Sequence, residues 1–202
     1  MRFKLLFLLT FVGSSFAIAD SNQNLGILGP NFHSVEEGRF YRSAQLNPRE
    51  FRKYIARHGI KTVINLRGVS EKKWWVEESE VLSELDVVHI NIKMSARRLP
   101  HREDLIKLLE SYESAQYPIL IHCEGGADRT GEASAIYQML YMNKTKEEAL
   151  KMLRFKYFHI PARMPAKRYF IKDLWQGVDW VYESYHPCES NWKYYDKEEF
   201  CI

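Results

Sequence analysis

After its first twenty residues the chain has no apolar run long enough to cross a bilayer as a helix. Cysteine is scarce: Cys123, Cys188 and Cys201 are the only three among 202 residues. They form no C-x-x-C pair and no Cys/His spacing of a zinc site; His122 and Cys123 are adjacent and make poor joint ligands without partners elsewhere. Ten Gly and seven Pro are too few for a collagen-like or low-complexity chain. Neither sign of charge dominates: 29 basic against 26 acidic residues leave +3, too little to suggest a dedicated nucleic-acid binder. There is no internal repeat and no long linker, and the length suits one domain. What is abundant is core material, with 46% hydrophobic and 14% aromatic residues, beside 27% charged ones. That is the composition of a soluble, cored globular protein.

The N-terminus reads as an export signal. Met1-Arg2-Phe3-Lys4 is a short basic start, Leu5 to Val12 is apolar, and Ala17-Ile18-Ala19 forms an A-x-A cleavage pattern. Residues 1–19 are therefore expected to be a signal peptide, cleaved before Asp20, and the protein periplasmic or secreted. A membrane anchor or a hydrophobic first helix is the alternative reading of the same run. No Cys follows the cleavage site, which argues against lipid attachment there, and no stable anchor would remain after cleavage. Three cysteines in an exported chain leave one thiol over. The polar tail between Cys188 and Cys201 suits a disulfide in an oxidising compartment, which would leave Cys123 free.

Residues 20–35 look like a polar lead-in and residues 187–202 like an irregular tail. Between them, short β-branched runs alternate with amphipathic segments. Strands are predicted over 39–42, 61–66, 87–92 and 118–122, the middle two as buried strands. Helices are predicted over 47–58, 74–84, 101–113, 128–142, 145–156 and 165–184. Asn47-Pro48 supplies an N-cap and a first-turn proline, and Gly59 a C-terminal stop. The alternation predicts an α/β layered domain with a mostly parallel central sheet.

Chemistry concentrates in Ile121-His122-Cys123-Glu124-Gly125-Gly126-Ala127-Asp128-Arg129-Thr130-Gly131. A strand ends at His122, a glycine-containing loop follows, and a helix begins near Asp128. Such a turn gathers backbone N–H groups at a helix N-terminus, which makes a nest for phosphate. The nest would comprise Glu124, Gly125, Gly126, Ala127, Asp128, Arg129 and Thr130. Arg129 adds a planar fork of donors. Cys123 lies where the dipole, the loop amides and Arg129 all favour a thiolate, and a thiolate facing phosphate is a nucleophile. The Thr130 hydroxyl is placed to donate to it. Cys123 as a small core residue is the bland alternative, and a phosphate-binding module without turnover is another.

His122-Cys123-x5-Arg129-Thr130-Gly131 is similar to the signature of cysteine-dependent protein tyrosine phosphatases. Residues 36–185 resemble the small bacterial members related to dual-specificity and inositol phosphatases. Arg39 to Leu46, Gly59 to Arg67 and Thr145 to Leu150 carry that likeness beyond the loop. The resemblance implies a single phosphatase domain over 36–186, a mostly parallel sheet flanked by helices, and a phosphocysteine intermediate on Cys123. It further implies phosphate binding by Arg129, tuning of the thiolate by His122 through the backbone, and no metal or other cofactor. Rhodanese-like and arsenate-reductase-like proteins also use a cysteine loop, but the Arg-Thr-Gly ending argues against both.

One departure concerns the general acid. Relatives place an Asp in a loop after the second buried strand; here Lys93 to Asp104 has none near Ser95–Arg97. Asp128, inside the loop, and Asp104, in a helical first turn, are the two candidates; an N-cap role is the alternative for Asp128. The same loop holds Lys93, Arg97, Arg98, His101 and Arg102. These form either a solvated basic face or a collar for a multiply phosphorylated substrate, with Arg97 and Arg98 as its binding residues. Inositol polyphosphates (a phytase-like activity) and phosphotyrosine proteins are the two substrate classes considered.

Overall fold

The computed structural model describes residues 29–201. The predicted signal peptide and most of the lead-in lie outside the described residues. Five strands, β1 (His33–Glu36), β2 (Phe40–Ser43), β3 (Thr62–Asn65), β4 (Val88–Asn91) and β5 (Ile119–His122), form one sheet in the order β1-β2-β5-β3-β4. Only the β1–β2 pair is antiparallel. The mixed α/β fold with a mostly parallel sheet is thus present, and β5 lies at its centre.

Side chains alternate across the sheet, as the pleat requires. Tyr41, Val63 and Leu120 face one layer, made by α1 (Pro48–His58) and α2 (Lys73–Glu84) through Phe51, Ile55, Val81 and Leu82. Phe40, Ile64, Ile119 and Ile121 face the other. That layer is built from α3 (Arg102–Ser114), α4 (Asp128–Tyr141), α5 (Lys146–Ala149), α6 (Pro165–Tyr169) and α7 (Val178–Glu183). The α1 boundaries follow the sequence signals. Asn47 and Glu50 form a reciprocal capping box, Pro48 opens the helix, and Gly59 ends it at φ 61°.

Four expectations change. The chain over 87–92 is not a fully buried strand: β4 is the sheet edge, and Val88 is exposed. His33, Ser34 and Val35, read as lead-in, belong to β1. The 145–156 helix stops after four residues and a 3₁₀ turn over Leu150–Met152. There Arg168 takes the carbonyls of Leu150 and Leu153, and Arg42 takes that of Met152, so side chains replace the amides that would have continued a helix. The 165–184 helix is broken too. A π turn over Phe170–Leu174 leads to Gly177 at φ 111°, a conformation outside any α-helix, before α7 starts.

The tail is more ordered than its composition suggests. It carries α8 (Lys197–Phe200) and a Cys188–Cys201 disulfide, and it packs against the 93–101 loop. Leu99 N–H donates to the Tyr194 carbonyl at 2.7 Å, His101 pairs with the Tyr195 hydroxyl at 2.8 Å, and Trp192 stacks on Tyr185. A crosslink spanning 13 positions restricts the unfolded chain by about 3 kcal/mol. Cys188→Ser is therefore expected to lower Tm by about 6–12 °C for a domain of this size. Addition of reductant to the unaltered protein, followed by a thermal melt, should show the same drop.

Candidate active site

β5 delivers Cys123 to the C-terminal edge of the sheet, and α4 leaves from Asp128. Between them, three successive carbonyls point away from the loop's interior. The Glu124 carbonyl accepts from Gln45 N–H at 3.1 Å, Gly125 from Asn31 Nδ2 at 2.9 Å, and Gly126 from Arg42 Nη2 at 2.6 Å. Peptide units turned this way aim their N–H groups inward, which makes the anion nest. Gly126 permits the turn with φ 66°, and a Cβ there would meet the backbone of Ser43 and Ala44 at 2.6 Å.

Arg42, fully buried on β2, is the clamp beneath this loop. It also reaches the Met152 carbonyl at 3.0 Å and lies over the Tyr157 ring at 4.0 Å. Burial pulls its pKa down to about 10, which leaves it charged at neutral pH.

Cys123 is 3% exposed and is the free thiol. Burial opposes ionisation, but Arg129, the Thr130 hydroxyl and the Thr130 and Gly126 amides outweigh it, and the thiol pKa is lowered. The Thr130 hydroxyl is buried, is committed to no other protein group, and is the side-chain donor that favours the thiolate. Arg129 is similarly uncommitted. Its Nη1 makes a long 3.4 Å contact with the Leu66 carbonyl, its Nη2 is 3.9 Å from the exposed Glu124 carboxylate, and its buried Nε has no partner.

Behind the thiol, His122 Nε2 is 2.8 Å from Glu78 Oε1, both fully buried. Gln45 Nε2 donates to the other Glu78 oxygen at 2.6 Å. His89 Nε2 is 3.0 Å from Oε1 but lies off the hydrogen-bonding direction. Burial alone would raise the Glu78 pKa; His122, His89 and Gln45 together hold it well below the usual carboxylate range. The residue before the nucleophile is thus fixed by a carboxylate from α2.

Of the two acid candidates, only Asp128 belongs to the loop. It is not a helix cap: Ala127 holds the N-cap position without a side-chain bond, and the Asp128 carboxylate lies 2.7 Å from Nδ1 of the buried His159. Asp104 instead accepts the Lys93 amide, and burial raises its pKa. It ties the 93–101 loop to α3.

The basic loop does not close around the site as a ring. Arg98 pairs with Asp196 of the tail at 3.3 Å, and its carbonyl accepts from the buried Lys167, itself paired with Glu132 at 2.8 Å. Arg97 is exposed, with only its backbone N–H bonded, to Ser95. A shallow groove of about 340 Å³ lined by Ser79, Ser83 and Asp86 to His89 lies at the β4 edge, at the opposite end of the strands. Of its lining residues, only His89 also faces Glu78.

Arg42, Asn31, Glu78 and His159 were not singled out from sequence. Arg42 lies in the stretch that resembles the family, which was its one visible signal. Glu78 and His159 sit in segments of ordinary composition, far in sequence from the residues they touch.

A lowered-pKa thiol in a phosphate nest, at the central strand of this fold, defines a cysteine-dependent phosphatase of the protein tyrosine and dual-specificity superfamily. Within it, the chain belongs to the family described as DSP-PTPase phosphatase fused to NAD+ kinase, whose model matches residues 21–166. Solved structures agree on the fold. TpbA from P. aeruginosa is 21% identical, with a TM-score of 0.60, over 75% of this chain and 88% of that one. The core catalytic domain of the PP-IP phosphatase SIW14 from S. cerevisiae is 25% identical, with a TM-score of 0.59, over 71% and 84%. PTPMT1 is 17% identical, with a TM-score of 0.53, over 70% and 94%. A search of curated protein sequences finds no match.

Two measurements probe this electrostatic frame. Thr130→Val removes a hydrogen bond to the thiolate, so the pH dependence of Cys123 alkylation by iodoacetate should move to higher pH by about one pH unit. Glu78 contributes stability that is fully present above its unfolded pKa, near 4.5, and lost as pH falls. Glu78→Gln should therefore lower Tm at neutral pH and lose less of it on acidification below about 5 than the unaltered protein does.

Proposed function

We propose that the protein hydrolyses phosphomonoesters through a phosphocysteine, with inositol polyphosphates as its substrates. The observation that carries the mechanism is the unspent donor set: an unpartnered Arg129 Nε and inward loop amides around a thiol with lowered pKa. In the first step the Cys123 thiolate forms a bond to phosphorus while the bond from phosphorus to the leaving oxygen breaks. Arg129 and the amides of residues 124–130 hold the equatorial oxygens. Asp128, steadied by His159, gives its proton to the leaving oxygen. In the second step water attacks phosphorus, the S–P bond breaks, the thiolate is restored, and Asp128 recovers a proton from the water.

The inositol reading draws on the likeness to a structure described as a PP-IP phosphatase, and on the cations Arg67, Lys93 and Arg97 on the loops that follow β3 and β4. A phosphotyrosine protein is the second reading, favoured by a P. aeruginosa TpbA structure in complex with pTyr. Export to the periplasm or beyond is part of the proposal, from the N-terminal sequence and the tail disulfide.

A substrate panel of phosphotyrosine peptides, aryl phosphate and inositol phosphates of rising phosphate number tests it. Specificity rising with phosphate number is expected; a preference for peptides would sink the inositol reading. Cys123→Ser should release no phosphate from any of them while still binding it. If the unaltered protein binds phosphate and turns nothing over, it is a binding module. Asp128→Asn should slow inositol phosphates by on the order of 10²-fold, because an alkoxide needs its proton, and activated aryl phosphates far less. If Asp104→Asn shows that leaving-group dependence instead, the acid assignment is wrong.

A further inference from the structure

A second arginine stands beside the nest with no direct ion-pair partner among the described residues. Arg67 follows Leu66, whose N–H donates to the His122 carbonyl at 2.9 Å and whose carbonyl touches Arg129 Nη1. The backbone thus brings Arg67 to the wall of the Cys123 pocket, within electrostatic reach of Cys123, Arg129 and Glu124. Its turn is rigid: Asn65 Oδ1 accepts the Arg67 N–H at 2.8 Å, Asn65 Nδ2 donates to the Gly68 carbonyl at 3.0 Å, and Gly68 adopts φ 76°.

The side chain is held as firmly. Its guanidinium carbon lies 3.4 Å from the centroid of the Trp74 ring, and its Nη1 donates to Gln45 Oε1 at 2.7 Å. Gln45 is itself oriented by Glu78 at 2.6 Å. Among the described residues Arg67 forms no ion pair, and its remaining donors have no protein hydrogen bond. Burial is the main cost of this half-buried cation; nearby Glu124 favours its charge and Arg129 opposes it, but no carboxylate pairs with it directly. A guanidinium fixed by stacking and by a neutral amide, with free donors, is preorganised for an anion. The backbone of Lys93 bridges to that of Arg67, which brings another exposed cation alongside.

We propose that Arg67, stacked on Trp74, forms a second phosphate subsite next to the one at Cys123, and that the substrate carries two phosphate groups close together. The inference rests on the reading of the Cys123 loop as a phosphate site, and it narrows the substrate class to diphosphates or vicinal bisphosphates. One phosphate group occupies the Cys123 nest; Arg67 takes the neighbouring one through its free donors.

The test is an amide-resonance NMR titration of full-length Cys123→Ser protein with three probes: inorganic phosphate, pyrophosphate and a vicinal inositol bisphosphate. Addition of Arg67→Gln should weaken one or both of the two-phosphate probes by about tenfold, as expected for a lost charge-assisted hydrogen bond, and weaken phosphate by less than about twofold. The probe that loses affinity tells whether the two groups are bridged or on neighbouring carbons. Equal weakening of all three, or of none, overturns the subsite. If Arg67→Gln does not fold, Trp74→Leu decides instead: it keeps the charge but removes the platform, so a smaller loss confined to the two-phosphate probes is expected, and a uniform or absent loss overturns the proposal. Binding is read without turnover, so the result stands apart from the hydrolysis panel: selective binding without hydrolysis of inositol phosphates would keep the subsite and discard that substrate.

Discussion

The Arg42 guanidinium beneath the phosphate loop is the contact on which the site depends. It holds the Gly126 carbonyl outward and so leaves the neighbouring amides facing in. Burying a cation this deeply is costly, and two carbonyls together with the face of Tyr157 offset that cost. The same side chain joins the loop to the Met152 carbonyl and, with Arg168, occupies the carbonyls at the end of the helix predicted over 145–156. Loop geometry and the course of the chain behind α4 thus share one buried arginine, the latter together with Arg168.

The sheet has a different task on each face. On the α1–α2 side, Glu78 grips His122 and Gln45, and Gln45 grips Arg67. On the other side, Glu132 and Lys167 pair in the core, and Lys167 also holds the Arg98 carbonyl. The Cys123 loop sits between these two polar networks, each anchored by a buried carboxylate. The wall that carries the general acid in relatives is here fastened at Lys93, Arg98 and Leu99 by Asp104, Lys167 and the tail. A fastened wall accords with the proposal that the acid is Asp128, which already lies inside the loop.

Local signals in the sequence served well. Asn47, Pro48 and Gly59 marked α1 because capping is decided within a few residues. The loop from His122 to Gly131 was readable for the same reason, since its chemistry sits in ten consecutive residues. What escaped depended on distant partners. Val87 to Ile92 has the composition of a buried strand, and only the sheet order makes β4 an edge. His33 to Glu36 has little strand character, and it becomes β1 by pairing with β2. The long helix predicted over 165–184 failed because Gly177 and the packing of Trp175 against Phe170 overrode an amphipathic pattern. The cap reading of Asp128 fell because Ala127 holds that position, and the His159 beside Asp128 lies 31 positions away, beyond the reach of local pattern.

The tail crosslink has a bearing on chemical survival. Any medium oxidising enough to maintain Cys188–Cys201 also threatens a reactive thiolate. Here the two tail cysteines consume each other, which deprives Cys123 of a described resolving partner for an internal mixed disulfide. The sulfur at the floor of the nest is 3% exposed, so a small oxidant would reach it more readily than a bulky disulfide would. With no neighbouring cysteine to trap a sulfenic acid, an oxidised Cys123 would depend on an external small thiol for its return. The chain therefore keeps its crosslinked sulfurs in the tail and its one free sulfur buried at the site.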